Sequence, residues 1–221
     1  MDFFIQDPLF KKSYTIHEAL IKACDGAISG GGAYAFVSIE GVKLFIEDEI
    51  FVKLAKNGRF KLIVGVDDIT SEKVLHRLDE IRKLYGGNLE IYAFLHDTKG
   101  SLFHPKFSWF KNENGGALVL GSGNLTGKGL RLNREAFNYT EVSNMGIKEI
   151  EDYWNEWLTH NSKFLLPVDD EKVLQKAREN AQKFTRLKKK VKAELDSTET
   201  GDSVVETMIP HSYDDEDIYA W

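Results

Sequence analysis

Cysteine is nearly absent. Cys24 is the only one in 221 residues, so no disulfide can close within the chain and no thiolate cluster can hold a metal. Long apolar runs are missing too. No stretch approaches a membrane span, and the opening MDFFIQDPLFKK has neither a basic leader nor a cleavable apolar segment. A reducing, cytoplasmic setting with no membrane partner is the expectation. Positive charge is missing from the last residues: from Asp196 onward there are eight acids and no Lys or Arg. Taking those eight from the chain's 35 acids leaves 27 against 29 bases, so the net charge of −6 belongs to the tail and residues 1–195 carry about +2. A body of that kind can still bind a polyanion through a local basic groove.

What is present suits one α/β domain with an appendage. Hydrophobic residues at 42% and aromatics at 12% are ample for a packed core. Thr15-Ile16-His17-Glu18 is a capping box that opens a helix over 15–25. Gly30-Gly31-Gly32 lacks the Walker lysine and the spaced dinucleotide-binding pattern, so it is read as a flexible connector before a strand over 33–39. Residues 42–56 have helical periodicity, with Phe45, Ile46, Ile50 and Leu54 inward. The run 60–66, FKLIVGV, reads as a buried parallel strand. Asp67-Asp68 has no E-x-K partner of the metal-nuclease kind and is read as the cap of a helix over 70–85. A strand over 88–95 leads to His96, read as a solvated loop histidine. Further on come a strand over 136–142 and an amphipathic helix marked by Ile147, Ile150, Trp154, Trp157 and Leu158. Strands and helices in this order argue for a mixed, largely parallel sheet between helices.

Chemistry concentrates in 101–135, SLFHPKFSWFKNENGGALVLGSGNLTGKGLRLNRE. Read as a strand, 101–110 puts Phe103, Pro105, Phe107 and Trp109 on one face and His104, Lys106 and Ser108 on the other. NENGG is a turn by composition and 117–120 the returning strand. That hairpin holds a histidine and a lysine beside the donor-rich loop Gly121-Ser122-Gly123-Asn124. A nucleophile, a fixed cation and several hydrogen-bond donors are what a phosphodiester requires.

His104-x-Lys106, then Gly121-Ser122-x-Asn124, then Glu135 about ten residues later resembles the phospholipase D superfamily, the HKD proteins. The fuller string GSGNLTGKGL…NRE is most similar to its nuclease branch, which includes metal-independent restriction endonucleases of bacterial or phage origin. The resemblance implies a phospholipase D-like mixed β-sheet flanked by helices on both faces, with one HKD-type motif per chain. The resemblance falls within a nuclease domain at 1–165; apolar spacing gives a long amphipathic helix with a basic end over 166–195, and composition an acidic linker or tail over 196–221. One departure is Lys111, which stands where the family pattern has Asp; many nuclease members lack that Asp too.

Catalytic roles follow from chemistry and resemblance together. Lys106, Ser122 and Asn124 would neutralise the phosphate oxygens, with no metal and no cofactor. His104 would attack phosphorus, and Glu135 would hold its other ring nitrogen. Ser108, Thr126 and Lys128 are further candidates for substrate contact. A leaving oxygen also needs an acid, and no other histidine is followed two residues on by lysine. Single-copy members of the family pair, so a homodimer with His104 of each copy facing the other is expected. DNA is the expected partner, with sequence specificity supplied by a C-terminal recognition domain or a separate specificity or helicase partner. Lipid or small phosphodiesters, and a catalytically inactive DNA-binding module, are the alternatives. Asp214-Asp215-Glu216-Asp217 with Tyr219 and Trp221 could imitate DNA in a basic cleft.

Overall fold

A computed structural model gives the structure over residues 2–67 and 70–196. In chain order its main elements are β1 (Asp2–Gln6), α1 (Ile16–Cys24), β2 (Ser29–Tyr34), a one-turn α2 (Ile39–Gly41) that widens into a π-type turn (Val42–Ile46), and α3 (Glu49–Asn57). Then follow β3 (Arg59–Gly65), α4 (Glu72–Tyr85), β4 (Leu89–Phe94), β5 (Lys106–Asn112) and β6 (Gly115–Gly121). A second π-type turn (Lys128–Leu132), β7 (Glu135–Val142), α5 (Asn144–His160), β8 (Leu165–Pro167) and α6 (Glu171–Asp196) complete it.

Among the described residues the strands form one eight-stranded sheet in the order β1-β7-β6-β5-β2-β3-β4-β8. Only the β2–β3 and β3–β4 pairs are parallel; every other pair is antiparallel. The sheet is thus mixed, as expected, but not largely parallel. Its antiparallel half comes from the hairpin β5–β6 and its return through β7 to the edge strand β1. The register sets Lys106 beside Tyr34, Gly121 beside Phe137 and Gln6 beside Glu135. The start of β5, the end of β6, the start of β7 and the C-terminal end of β2 therefore share one end of the sheet.

Helices cover the two faces unequally. On one face α1, the first π-type turn, α3, α4 and the beginning of α6 bury a large core that includes Leu20, Phe45, Phe51, Phe60, Leu62 and Phe110. On the other face α5 sits over a smaller core of Ala33, Ile63, Phe94, Phe103, Trp109, Ile147, Trp154 and Leu158. The start of α6 belongs to the main body: Val173, Leu174 and Ala177 are buried, and Arg178 donates to Glu72 at 2.7 and 2.9 Å. The sheet itself continues to Pro167 through β8, so residue 165 falls within a strand.

Local sequence explains most boundaries. Thr15 and Glu18 form the capping box, each side chain taking the other's backbone N–H, at 3.1 and 2.8 Å. The helix expected over 42–56 is interrupted because the Asp48 side chain accepts from Ile50 N at 2.8 Å and caps a new helix, α3. Ser71, not the Asp67-Asp68 pair, caps α4, accepting from Val74 N. The strand expected from 101 begins only at Lys106.

The glycine triplet is the largest departure. Gly30, Gly31 and Gly32 are buried in the central strand β2, hydrogen-bonded to β3 on one side and β5 on the other. A Cβ at Gly31 would stand 2.8 Å from Trp109 Nε1 and 2.9 Å from Trp154 Nε1. Glycine is required there because two indoles pack directly on the strand backbone, not because a turn needs freedom.

Candidate active site

His104 lies in the approach to β5 and Lys106 is the first residue of that strand. The backbone between them is held, since Ala35 N donates to Pro105 O at 2.9 Å. Lys106 is only 8% exposed, and its Nζ stands 3.0 Å from both ring nitrogens of His104 and 3.1 Å from the His104 carbonyl oxygen. The histidine ring itself is exposed, with the edge of Phe36 against it at a centroid distance of 6.0 Å. Burial, and then the Lys106 charge, push the His104 pKa below its ordinary value, so the neutral ring is favoured. Burial also pulls Lys106 down to about 8, against the opposing effect of Glu135.

The loop after β6 supplies the other polar groups. Ser122 donates its hydroxyl to Glu135 Oε2 in a short hydrogen bond, and Ser122 Oγ accepts from Ala136 N at 3.1 Å. Asn133 Nδ2 donates to Glu135 Oε1 at 3.1 Å. Asn124 Oδ1 accepts from Phe36 N at 3.3 Å, which turns its Nδ2 into the end that can donate to a substrate. A Cβ at Gly123 would stand 2.8 Å from the backbone oxygen of Gly129, so the loop closes on the turn after it only with glycine there.

His104, Lys106, Ser122, Asn124 and Glu135 thus come together at one end of the sheet. One expected contact is not made. Glu135 is engaged by Ser122 and Asn133, and among the described residues the His104 ring nitrogens face Lys106 rather than a carboxylate. Two of the further candidates also lie elsewhere. Ser108 is fully buried and shares a 2.9 Å hydrogen bond with Tyr34 in the core. Thr126 is buried and accepts from Gly129 N at 2.9 Å, closing the turn after the loop. Lys128 is half-buried at the start of the second π-type turn.

Several contributors carry no motif. Gln6 is wholly buried and braces the loop, donating to Gly129 O at 3.1 Å and Asn133 O at 2.9 Å while accepting from Ile16 N at 2.9 Å. Phe36 contributes its amide and its ring. Asp67 accepts from Phe103 N at 2.6 Å and faces His96 Nε2 at 3.2 Å, with both side chains almost buried. His96 is therefore a fixed group and not a solvated loop histidine. Asp68 lies outside the described residues. The one available signal for Asp67 was its position just past a central strand, at the end of the sheet where the motif sits.

Beside His104, on the α5 face, opens a cavity of about 890 Å3 whose walls include Phe94, Phe103, Tyr153, Trp154, Trp157 and Phe164. Among the described residues no three His, Cys, Asp or Glu side chains form a group that could hold a metal ion. No described helix is long and apolar enough to cross a membrane.

No protein-family model and no curated protein matches the sequence. Solved structures do match. NucT from Helicobacter pylori aligns over 75% of this chain and 97% of its own, with a TM-score of 0.50 and 14% identity. Nuc from Salmonella typhimurium, a phospholipase D family member, covers 66% of this chain and 86% of its own at a TM-score of 0.47 and 16% identity. Phosphatidylserine synthase from Haemophilus influenzae Rd KW20 covers 78% of this chain and 42% of its own, at 0.49 and 15%. At such identities the likeness is one of fold. The chain has a phospholipase D-type α/β fold, an open mixed sheet with helices on both faces.

Proposed function

We propose that the protein is an endonuclease that hydrolyses DNA phosphodiester bonds without a metal, through a phosphohistidine on His104, in a site completed by a second copy of the chain. The observation that carries this reading is the His104–Lys106 pair, a ring favoured in its neutral form with a fixed cation 3.0 Å away. His104 forms a bond to phosphorus as the bond to the leaving oxygen breaks, and that oxygen takes a proton from His104 of the second copy. Water then attacks phosphorus, the P–N bond breaks, and the water's proton returns to the second histidine. Lys106 and the Asn124 amide bear on the phosphate oxygens throughout.

Support for DNA comes from charge as well as resemblance. Lys11 and Lys12 in the β1–α1 connection, Lys128 and Arg131 in the second π-type turn, and Arg134 beside Glu135 all belong to segments at the site's end of the sheet. Support for pairing comes from the single His-x-Lys and from two exposed apolar side chains on one face of the sheet. Leu120 and Phe3 are in register through Asn138, with Leu120 48% and Phe3 64% exposed. A restriction role, with specificity supplied by a further domain or partner, completes the reading. The aromatic cavity beside His104 favours one alternative, a phosphodiester with a bulky apolar substituent.

Plasmid and a chromogenic phosphodiester, each in excess EDTA, separate these readings when wild type and His104→Ala are compared and their masses in solution are measured. Plasmid cleavage by a wild-type dimer, abolished by His104→Ala, is expected. Turnover of the small diester without plasmid cleavage selects the alternative. DNA binding without turnover of either substrate makes the protein a binding module.

A further inference from the structure

Asp67 stands just past the C-terminal end of β3 and is not part of the motif. One of its oxygens, Oδ2, accepts from Phe103 N at 2.6 Å and faces His96 Nε2 at 3.2 Å. Thr98 N donates to His96 Nδ1 at 3.2 Å, so the ring proton sits on Nε2 and points at the carboxylate. A single carboxylate oxygen thereby ties both ends of the segment 96–103, which runs from the end of β4 to the residue before His104. Beyond the rings of Phe103 and His96, which pack on Phe94 at centroid distances of 4.5 and 5.6 Å, little else holds the segment: Thr98 to Gly100 turn outward and are exposed, and Ser101 N reaches Thr98 O only at 3.3 Å. On the far side of His104 the chain is fixed again, by Ala35 N on Pro105 O and by Lys106 Nζ on the His104 carbonyl. His104 is thus suspended between two anchors. Lys106 and Ala35 supply one; Asp67, holding the backbone of Phe103 whose ring is buried in the smaller core, supplies the other.

We propose that Asp67 is a positioning residue of the active site, acting through the Phe103 amide to set the His104 ring against Lys106. The proposal rests on His104 being the nucleophile, and it assigns to β3 a role the motif does not contain. His96 secures the far end of the segment and acts more weakly, because six residues lie between it and Phe103.

Displacement of a nucleophile by about 1 Å costs on the order of 100-fold in rate. Asp67→Ala is expected to lower kcat on a chromogenic phosphodiester by about that factor while leaving KM within about twofold. Asp67→Asn keeps an oxygen at the same reach and is expected to retain most of kcat. Asp67→Glu, one methylene longer, displaces Phe103 and is expected to fall at least tenfold below Asp67→Asn, and this pair decides the matter should Asp67→Ala not fold. Equal turnover by the Asn and Glu variants, or wild-type turnover by Asp67→Ala, overturns the proposal. A second readout does not depend on the reaction: hydrogen exchange at the Phe103 amide should be fast in Asp67→Glu and slow in Asp67→Asn. If wild type hydrolyses no phosphodiester, the functional reading fails, and the exchange rates still show whether Asp67 fixes the His104 approach. Exchange at Phe103 that is the same in all three proteins refutes the anchoring itself.

Discussion

At the scale of single residues, burial lowers the pKa of both His104 and Lys106, and the lysine's charge lowers that of the histidine further. The ring must be neutral to attack, so activity rises as pH climbs through its pKa, which burial and Lys106 hold below the usual histidine value. In the proposed mechanism the second copy's His104 must be protonated to release the leaving oxygen, so activity falls again as the histidine pair loses its last proton, and Lys106, which must be charged to neutralise phosphate, steepens that fall as pH passes about 8. The pH profile of kcat/KM on a small phosphodiester is therefore expected to be bell-shaped, with both limbs set by the two copies of His104 and the alkaline side steepening near 8. Lys106→Arg, whose guanidinium does not titrate in that range, should remove the steepening and leave the histidine limbs in whatever activity it keeps. Steepening that stays near 8 in Lys106→Arg would assign it to another group. His104, Lys106, Ser122, Asn124 and Glu135 were legible because their spacing survives in sequence. The partners of Glu135 were not, because which side chain a carboxylate meets is settled by how β6 and β7 end, and spacing carries no record of that. Ser108 shows the same limit. Alternation placed it correctly on the face of Lys106, but that face is roofed by helices on the side of Tyr34, and only the fold reveals the roof.

At the scale of elements, the sheet is held by close approaches that composition disguises. Three consecutive glycines look like a hinge, yet they lie within the central strand β2, where Trp109 and Trp154 occupy the side-chain space of Gly31, Trp109 O that of Gly30 and Ser108 that of Gly32. Gly31→Ala should overpack that contact and cost about 1–3 kcal/mol, read as a lowered midpoint in urea unfolding. A midpoint unchanged from wild type would mean that the indoles can move aside. Helices α1, α4 and α5 were readable from apolar periodicity and caps, and β3 and β4 from short continuous apolar runs. The edge strands were not: β1 pairs along one side only, through β7, and β8 has just three residues, too few for any period to register. The split between the first π-type turn and α3 was present in sequence as Asp48, a capping residue inside an apparently continuous helical pattern.

At the scale of the whole molecule, the two faces of the sheet differ in kind. One is closed by most of the helices. The other carries α5, the aromatic cavity beside His104 and the exposed side chains of Leu120 and Phe3, so the proposed second copy would meet the protein on this face. The acidic stretch beyond Asp196 lies outside the described residues. Its imitation of DNA remains a proposal that deletion of 197–221 would test through a gain in cleavage. All of this turns on one bond, that between phosphorus and a ring nitrogen of His104. The most direct test is to quench the reaction with DNA or a small phosphodiester in alkali, where phosphohistidine survives, and to map the adduct by mass spectrometry. An adduct on His104 of the phosphate with its remaining ester group is expected in wild type, with no adduct and no cleavage in His104→Ala. Cleavage by His104→Ala at the wild-type rate would contradict the account.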